Sequence, residues 1–334
     1  MKKIIFLLAL LLLSKAPAFA KPLTVGFLVG QSGIGDQSFN DMTYAGLIKA
    51  KQELGIEVVV EDMEKTESAA EKAMQRLIFR RAQVIVANGF EFQKLVETYA
   101  KRYPNIYFIM HDVPIGDHDN VVSTVFAVEE GAFLAGVLAA SMPDTRKLGF
   151  IGAVDIPVLK PFLTGFQAGV RYASPRLPIE VAYISEAPDY SGFNSPAMGH
   201  AVATEMYERG VTIIFSVAGL TGNGIIQAAR GANRFVIGVD SDQDHLAVGH
   251  VLTSMMKRLD IATYNEVAKI AMGRFKPGVR YYGLLEEGVG LSPMTYTRNQ
   301  VPPKILNRLD EVRLKIIAGD IRFPSTAKPA KGTP

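Results

Sequence analysis

The chain has 334 residues, no cysteine and a formal net charge of +3 at pH 7. The lack of cysteine excludes disulfide bonds and thiolate metal sites, so burial of apolar side chains must stabilise the fold. Three of its lysines, Lys2, Lys3 and Lys15, lie in a segment that we expect to be removed, and without them basic and acidic residues are equal in number. A chain without net charge gives no argument for nucleic acid or a membrane surface as partner.

The first 20 residues have the pattern of a secretory signal peptide. Two lysines precede an apolar run over residues 4–13, and Ala18-Phe-Ala20 is a small-x-small cleavage sequence. The run is shorter than the roughly 20 residues that span a bilayer, which argues against the alternative of a membrane anchor. No cysteine follows for lipid attachment, so we expect a periplasmic protein that begins at Lys21 and has no direct membrane anchor.

Apolar runs alternate with helical patterns along most of the chain, as in a parallel sheet covered by helices on both faces. A first set of predicted strands lies at residues 23–29, 58–60, 84–87, 106–110 and 121–126. A second set lies at residues 148–153, 181–184, 212–217 and 235–239. Helices are predicted at residues 38–54, 157–172, 196–209, 223–231, 259–272 and 303–317, with a polar, hairpin-like region at 279–291. Two sets of strands favour two similar α/β lobes over one large sheet.

Each lobe needs later chain to complete its sheet, so we expect three crossovers, near residues 125, 254 and 288. The N-terminal lobe then comprises residues 21–125 and about 255–288, and the C-terminal lobe comprises residues 126–254 and about 289–323. The tail, residues 324–334, is rich in Pro, Lys and Ala and is predicted to be disordered.

The loop after the first predicted strand carries a cluster of polar and aromatic residues. It lacks the spacing of dinucleotide and P-loop motifs, so a phosphate-binding loop is not favoured. Asp36 or Ser38 is a candidate cap for the helix that follows. Phe39 either packs in the core or offers an aromatic surface to a planar ring, with Asn40 capping the helix or contacting the polar edge of that ring.

Polar or glycine residues follow two further predicted strands, where open α/β sheets bind ligands. Asp112 comes after the strand at 106–110, beside His111, a candidate base without a nucleophile or metal partner in the sequence. We therefore assign no catalytic residue. Gly219 and Gly222 either let backbone amides approach a ligand at a helix N-terminus or form only a structural turn.

The segment Asp240-Ser-Asp-Gln-Asp244 ends the strand at 235–239 and has the carboxylate spacing of a calcium loop. His245 and Val251 stand where such a loop needs Gly and a bidentate Glu, so neither a metal nor a cofactor is expected. Carboxylates at a strand end can instead accept hydrogen bonds from hydroxyl groups. Lys257 either supplies the matching donor or pairs with Asp260.

These motifs, in their order, resemble the basic membrane protein (BMP) family. The family comprises substrate-binding proteins of ABC transporters and is typified by purine-nucleoside receptors. The resemblance spans nearly the whole mature chain and is carried by the segments at residues 36–40, 129–136, 149–152, 162–169, 218–222, 237–243, 253–257 and 283–290.

The resemblance implies a two-lobed periplasmic-binding-protein fold of type I, in which each lobe is a parallel sheet flanked by helices. A nucleoside would lie between the lobes, which close about a hinge, and an ABC transporter permease would be the partner. Phe39 would stack on the base, and Asn40 with Asp36 would contact its polar edge. Phe215 is a second stacking candidate, provided that the strand register turns it toward the cleft.

The resemblance also implies how the sugar is held. Asp112, Asp240 and Lys257 would bind the ribose, and Gly219 or Gly222 would lend backbone contacts. Leu220 stands where the family usually has glycine, which leaves open another heterocyclic ligand. The remaining alternatives are an exported nucleoside hydrolase and a binding protein that serves a sensor.

Overall fold

The computed structural model describes residues 22–62 and 69–323. The predicted signal peptide and the predicted disordered tail therefore lie outside the described residues. The first strands and helices, in chain order, are β1 (Thr24–Leu28), α1 (Phe39–Leu54), β2 (Glu57–Glu61), α2 (Ala69–Phe79), β3 (Val84–Asn88), α3 (Gln93–Arg102), β4 (Tyr107–His111), β5 (Val121–Phe126) and α4 (Val128–Ser141). The remainder are β6 (Leu148–Val154), α5 (Lys160–Ala173), β7 (Ile179–Ser185), α6 (Pro196–Glu208), β8 (Ile213–Val217), α7 (Thr221–Gly231), β9 (Phe235–Asp240), β10 (Val251–Lys257), α8 (Leu259–Ala271), β11 (Gly278–Tyr282), β12 (Val289–Leu291) and α9 (Pro303–Ala318).

The strands form two six-stranded sheets, which confirms the prediction of two α/β lobes. The first sheet has the order β11-β5-β4-β3-β1-β2 and the second the order β12-β10-β9-β8-β6-β7. All neighbours pair in parallel except β12, which runs antiparallel to β10 at one edge. We call the first sheet with its helices the first lobe, and the second sheet with its helices the second lobe.

The chain passes between the lobes three times. It leaves the first sheet after Phe126, returns after Lys257 and leaves again after Tyr282. The expected crossing near residue 254 falls inside β10, which the second sheet retains up to Lys257. The hairpin-like region predicted at 279–291 is not a hairpin, because β11 pairs with β5 in one sheet and β12 pairs with β10 in the other.

Continuous apolar runs form the inner strands because helices cover both faces of each sheet. All residues of β3, β5 and β6 are buried, whereas the edge strands β2 and β7 are largely half-exposed. Polar residues end this apolar pattern at the carboxyl ends of the strands. These ends therefore present side chains toward the space between the lobes.

Helix α8 follows Lys257 directly and packs against α1 in the first lobe. The two helices approach closely at Gly46, where a Cβ atom would lie 2.4 Å from the backbone oxygen of Asp260. A side chain at this position must push the helices apart. The packing of α8 on α1 therefore depends on a glycine in the middle of α1.

We predict that Gly46→Ala lowers the free energy of unfolding by about 1–3 kcal/mol, the usual cost of overpacking a tight contact. Gly231→Ala is the matched control, because a Cβ there meets no atom within 4 Å and alanine is the better helix former. Urea unfolding of both variants measures the difference. Equal stabilities of the two variants would contradict the tight contact.

Candidate functional site

A cavity lies between the two lobes, at the carboxyl ends of their strands. Its volume is about 620 Å³, including the space at its mouth that is open to solvent. The first lobe lines it with Gly30, Gln31, Ser32, Phe39, Asn40, Asn88, Gly89, Phe90, Glu91 and Asp112. The second lobe lines it with Val158, Leu159, Phe162, Phe193, Val217, Ala218, Gly219, Val239, Asp240 and Lys257.

The N-terminus of α1 forms part of the cavity wall and is organised by Asp36. The fully buried Asp36 carboxylate accepts hydrogen bonds from the backbone amides of Ser38 (2.9 Å), Asn40 (3.0 Å) and Asp41 (3.1 Å). These amides have no partner within the helix, so the carboxylate caps it. Asp36 does not line the cavity, which corrects its predicted contact with the ligand.

Two asparagine side chains hold the loop that follows β1. Asn40 Oδ1 accepts from the Gly30 amide (3.0 Å) and from Asn88 Nδ2 (2.8 Å), and Asn40 Nδ2 donates to the Gly33 carbonyl (3.0 Å). Asn88 Oδ1 accepts from the Thr43 hydroxyl (2.9 Å). Asn40 lines the cavity, but the side-chain oxygens and most amide hydrogens of Asn40 and Asn88 already bond to the protein itself.

Lys257 is held at the meeting point of the two lobes. Its ammonium nitrogen lies 2.6 Å from Oδ2 and 2.5 Å from Oδ1 of Asp112, which belongs to the first lobe. The same ammonium lies 4.6 Å from the centre of the Phe39 ring, within range of a cation–π interaction. Lys257 is only 3% exposed, so the ion pair and the ring replace the water that it has lost.

Asp240 completes this cluster from the end of β9. It is buried, and Ser38 Oγ of the first lobe donates to its Oδ2 at 2.6 Å. Burial raises the pKa of its carboxyl group, while the charge of Lys257 and the bond from Ser38 oppose that rise. Asp112 and Asp240 both have left-handed backbones, with φ of 74° and 66°. Such strain in residues other than glycine is concentrated at functional sites.

Further hydrogen bonds join the lobes around this cluster. The Gln37 carbonyl accepts from Gln243 Nε2 at 3.0 Å and from the hydroxyl of Ser241. Ser32 Oγ donates to the Phe193 carbonyl at 3.3 Å. The two lobes are therefore in direct contact at several residue pairs near the cavity.

Four phenylalanines provide the aromatic part of the wall: Phe39, Phe90, Phe162 and Phe193. The Phe90 and Phe193 rings, from opposite lobes, lie 6.5 Å apart between centroids. Only Phe39 was predicted as a site residue. Phe90 carries a usable signal, because it follows the end of β3 at Gly89, but Phe193 sits in a connection after β7 that has no strand-end pattern.

Phe215 corrects the predicted second stacking surface. It is fully buried in the core of the second lobe, with its ring centre 5.8 Å from that of Phe150 and 5.2 Å from that of Phe166. It lies two residues before the end of β8, where α5 covers the sheet. Val217, the last residue of the strand, reaches the cavity instead.

The two candidate glycines, Gly219 and Gly222, differ in whether they reach the cavity. Gly219 lines the cavity with φ of 56°, and a Cβ there would lie 2.4 Å from Ser32 Oγ of the opposite lobe. This close approach requires glycine. Gly222 lies in the first turn of α7 and does not line the cavity, and neither does Leu220.

Glu91 is a carboxylate in the cavity wall that the sequence did not single out. Its Oε1 accepts a hydrogen bond from the Gln31 amide at 3.1 Å. Burial raises the pKa of Glu91 to about 7, backbone hydrogen bonds oppose this rise, and the charge of Asp112 adds to it. The carboxyl group can therefore gain or lose a proton near neutral pH.

The remaining candidates do not contribute to the cavity. His111 is buried between the hydroxyls of Thr124 (2.5 Å) and Thr263 (2.9 Å), and burial lowers its pKa to about 3. Asp244 accepts from the Thr295 amide at 2.8 Å, and Asp242 accepts from the Asp244 amide at 3.2 Å. Within residues 22–62 and 69–323, no three His, Cys, Asp or Glu side chains are grouped to hold a metal ion.

Comparisons with known proteins agree with this architecture. Residues 23–327 match the Bmp family model, described as ABC transporter substrate-binding protein PnrA-like. Basic membrane protein A of Borreliella burgdorferi is 32% identical over 306 residues, covering 87% of this chain and 84% of that protein. The CD4+ T-cell-stimulating antigen of Listeria monocytogenes is 31% identical over 326 residues, with 91% and 89% coverage.

Solved structures show the same fold. An ABC transporter solute-binding protein from Aeropyrum pernix superposes with a TM-score of 0.82 at 28% identity, covering 92% of this chain and 94% of that one. A second solute-binding protein, from Conexibacter woesei, has a TM-score of 0.71 at 21% identity, with coverage of 90% and 98%, and supports the fold alone. Across the described residues, no helix has the length and apolar character needed to cross a bilayer.

We predict that Phe215→Ala lowers the free energy of unfolding by about 3–5 kcal/mol, because it empties a fully buried aromatic site. Phe193→Ala is the comparison variant, since Phe193 is half-exposed at the cavity and should cost less. Chemical unfolding without added ligand distinguishes them. A smaller loss for Phe215→Ala than for Phe193→Ala would mean that Phe215 is not a core residue.

Proposed function

Because this chain belongs to the Bmp family of PnrA-like ABC transporter substrate-binding proteins, we propose that it binds a nucleoside between its lobes and delivers it to an importer. The observation that carries this proposal is the composition of the cavity. It combines aromatic rings with a cluster of two carboxylates and one ammonium group. A nucleoside has the matching halves, a planar base and a sugar with vicinal hydroxyls.

The aromatic half suits a base. Stacking on a ring such as Phe39 contributes about 0.5–1.5 kcal/mol beyond the burial of apolar area. The rings of Phe90, Phe162 and Phe193 extend the same apolar surface. The Lys257 ammonium lies 4.6 Å from the centre of the Phe39 ring, so a stacked base has to share this space with it.

The charged half suits the sugar. Carboxylates accept hydrogen bonds from the hydroxyl groups of a sugar, and an ammonium group donates hydrogen bonds to the hydroxyl oxygens. Asp112 and Asp240 come from different lobes and both lie near Lys257. A sugar bound by these residues contacts both lobes at once, and a ligand that contacts both lobes favours the closed arrangement.

The proposed function also implies where the protein works and which partner it has. A substrate-binding protein of an ABC importer works outside the cytoplasm, with a transporter permease as its partner. We propose that the predicted signal peptide directs this chain to the periplasm, where it diffuses without a lipid anchor. A relative from Pyrococcus abyssi, 30% identical with coverage of 81% of this chain and 69% of its own length, is named a lipoprotein, so the absence of an anchor needs its own test by detergent partition.

The first test is thermal unfolding of the mature protein, refolded from denaturant so that no ligand is carried over. We predict that nucleosides raise the melting temperature, while free ribose does not. Phe39→Ala should remove most of this rise and leave the melting temperature without ligand nearly unchanged, because Phe39 is only partly buried. A response to another heterocycle, with none to any nucleoside, would reject the proposed ligand and keep the family assignment.

A second test separates the sugar from the base. We predict that Asp240→Ala weakens nucleoside binding by about tenfold to a hundredfold, the equivalent of one lost charge-assisted hydrogen bond. Binding of the free base should change much less. Asp242→Ala is the matched control, since its carboxylate bonds the Asp244 amide. Calorimetric titration with both ligands decides, and equal losses for nucleoside and base would remove Asp240 from the sugar site.

A further inference from the structure

Glu91 occupies an unusual electrostatic position in the cavity wall. Its carboxyl group is tied to the protein by backbone amides, notably that of Gln31. In the described part of the chain, no Lys, Arg or His lies within 4 Å of it and no side chain donates a hydrogen bond to it. An ionised carboxylate in such a place has acceptor capacity left over that a ligand can use.

The other polar groups of the first lobe have less capacity to read a base. The Asp36 carboxylate already accepts hydrogen bonds from backbone amides at the start of α1. Asn40 and Asn88 bond to each other and to the surrounding backbone and side chains. The Asn40 oxygen accepts two hydrogen bonds and the Asn88 oxygen accepts one, so neither amide is as open to a ligand as an unpaired carboxylate. Asp112 is occupied by Lys257. Glu91 is the carboxylate of this wall whose partners are backbone amides alone.

The charges facing Glu91 are few. Asp112 at the end of β4 repels its ionised form. The other charged groups in the cavity wall are Lys257 on β10 and Asp240 on β9, while Tyr190 packs on the neighbouring Phe90 ring. Burial and the charge of Asp112 raise the pKa of Glu91 to about 7, so both protonation states are accessible near neutral pH.

We infer that Glu91 reads the edge of the base, and that its ionised carboxylate selects a ring with two adjacent N–H donors, as guanine has. This inference rests on the proposed nucleoside function. A carboxylate accepts two parallel N–H bonds in the way that it accepts the two donors of an arginine. Adenine presents an amino donor beside a ring acceptor, so it matches the protonated carboxyl group, which has one donor and one acceptor.

The substitution Glu91→Gln tests this directly. Glutamine keeps the size of the side chain and an oxygen for the Gln31 amide, but it replaces the other acceptor by an amide donor that does not titrate. We predict that the variant loses about tenfold or more in affinity for guanosine and gains affinity for adenosine. Isothermal titration calorimetry of the refolded protein measures both. Glu97→Gln, the same change on α3 outside the cavity, is the matched control.

The pH dependence provides a second readout. Guanosine binds the ionised form, so its affinity is full above the pKa of free Glu91 and falls as pH drops through about 7. Adenosine binds the protonated form and follows the opposite course. The ratio of the guanosine affinity to the adenosine affinity should rise about a hundredfold from about pH 6 to about pH 8, because the ionised fraction of Glu91 rises about tenfold while the protonated fraction falls about tenfold. Asp112, Asp240 and Lys257 would act on the ribose, which both ligands share, so their effects cancel in this ratio.

The outcomes separate the inference from the function on which it rests. If nucleosides bind and Glu91→Gln leaves the guanosine-to-adenosine ratio unchanged at both pH values, Glu91 has only a structural role and the inference fails alone. If no nucleoside binds, the proposed function fails and the inference fails with it. If Glu97→Gln shifts the guanosine-to-adenosine affinity ratio as much as Glu91→Gln does, the inference about Glu91 also fails, because the effect would then not come from the cavity.

Discussion

The contact of the Lys257 ammonium with the Asp112 carboxylate is the interaction around which the cavity is arranged. Removing either charge would leave the other in a largely buried place, and an uncompensated buried charge is far more costly than a surface one. The pair also bridges the two lobes, since Lys257 ends β10 of the second sheet and Asp112 follows β4 of the first. Its geometry requires that the carboxyl ends of both sheets face each other across a narrow gap.

Much of this arrangement could be predicted from the sequence, because strand ends are a local pattern. Apolar runs that stop at Asp112 and Asp240 mark the carboxyl ends of parallel strands, and such ends gather at one edge of a sheet. The ordered set of family motifs then predicted Lys257 as their neighbour. What the pattern does not contain is the pairing between lobes, since the 2.6 Å contact joins residues 145 positions apart.

The site residues that were predicted wrongly or missed also depend on contacts between distant parts of the chain. Phe215 and Val217 both lie near the end of β8, yet Phe215 lies in the core and Val217 reaches the cavity. Whether a residue near a strand end reaches the cavity depends on register and on the covering helix, neither of which composition reveals. Phe193 was missed because its place in the wall comes from tertiary packing, in a connection without strand-end or motif spacing. Glu91 lies three residues past the end of β3, so the sequence offered a strand-end signal for it that was not used.

The first turn of α1 shows how few residues carry both the fold and the site. Asp36 caps the helix, and the turn that this cap fixes brings Ser38 against Asp240 of the opposite lobe. The next residue, Phe39, then faces Lys257. A helix cap contributes about 0.5–2 kcal/mol to stability, but in this place it also sets the geometry of a lobe-to-lobe hydrogen bond and of an aromatic surface. Loss of the cap would therefore disturb closure and stacking together, which explains why a buried carboxylate without contact to the cavity belongs to the same short motif as the residues that line it.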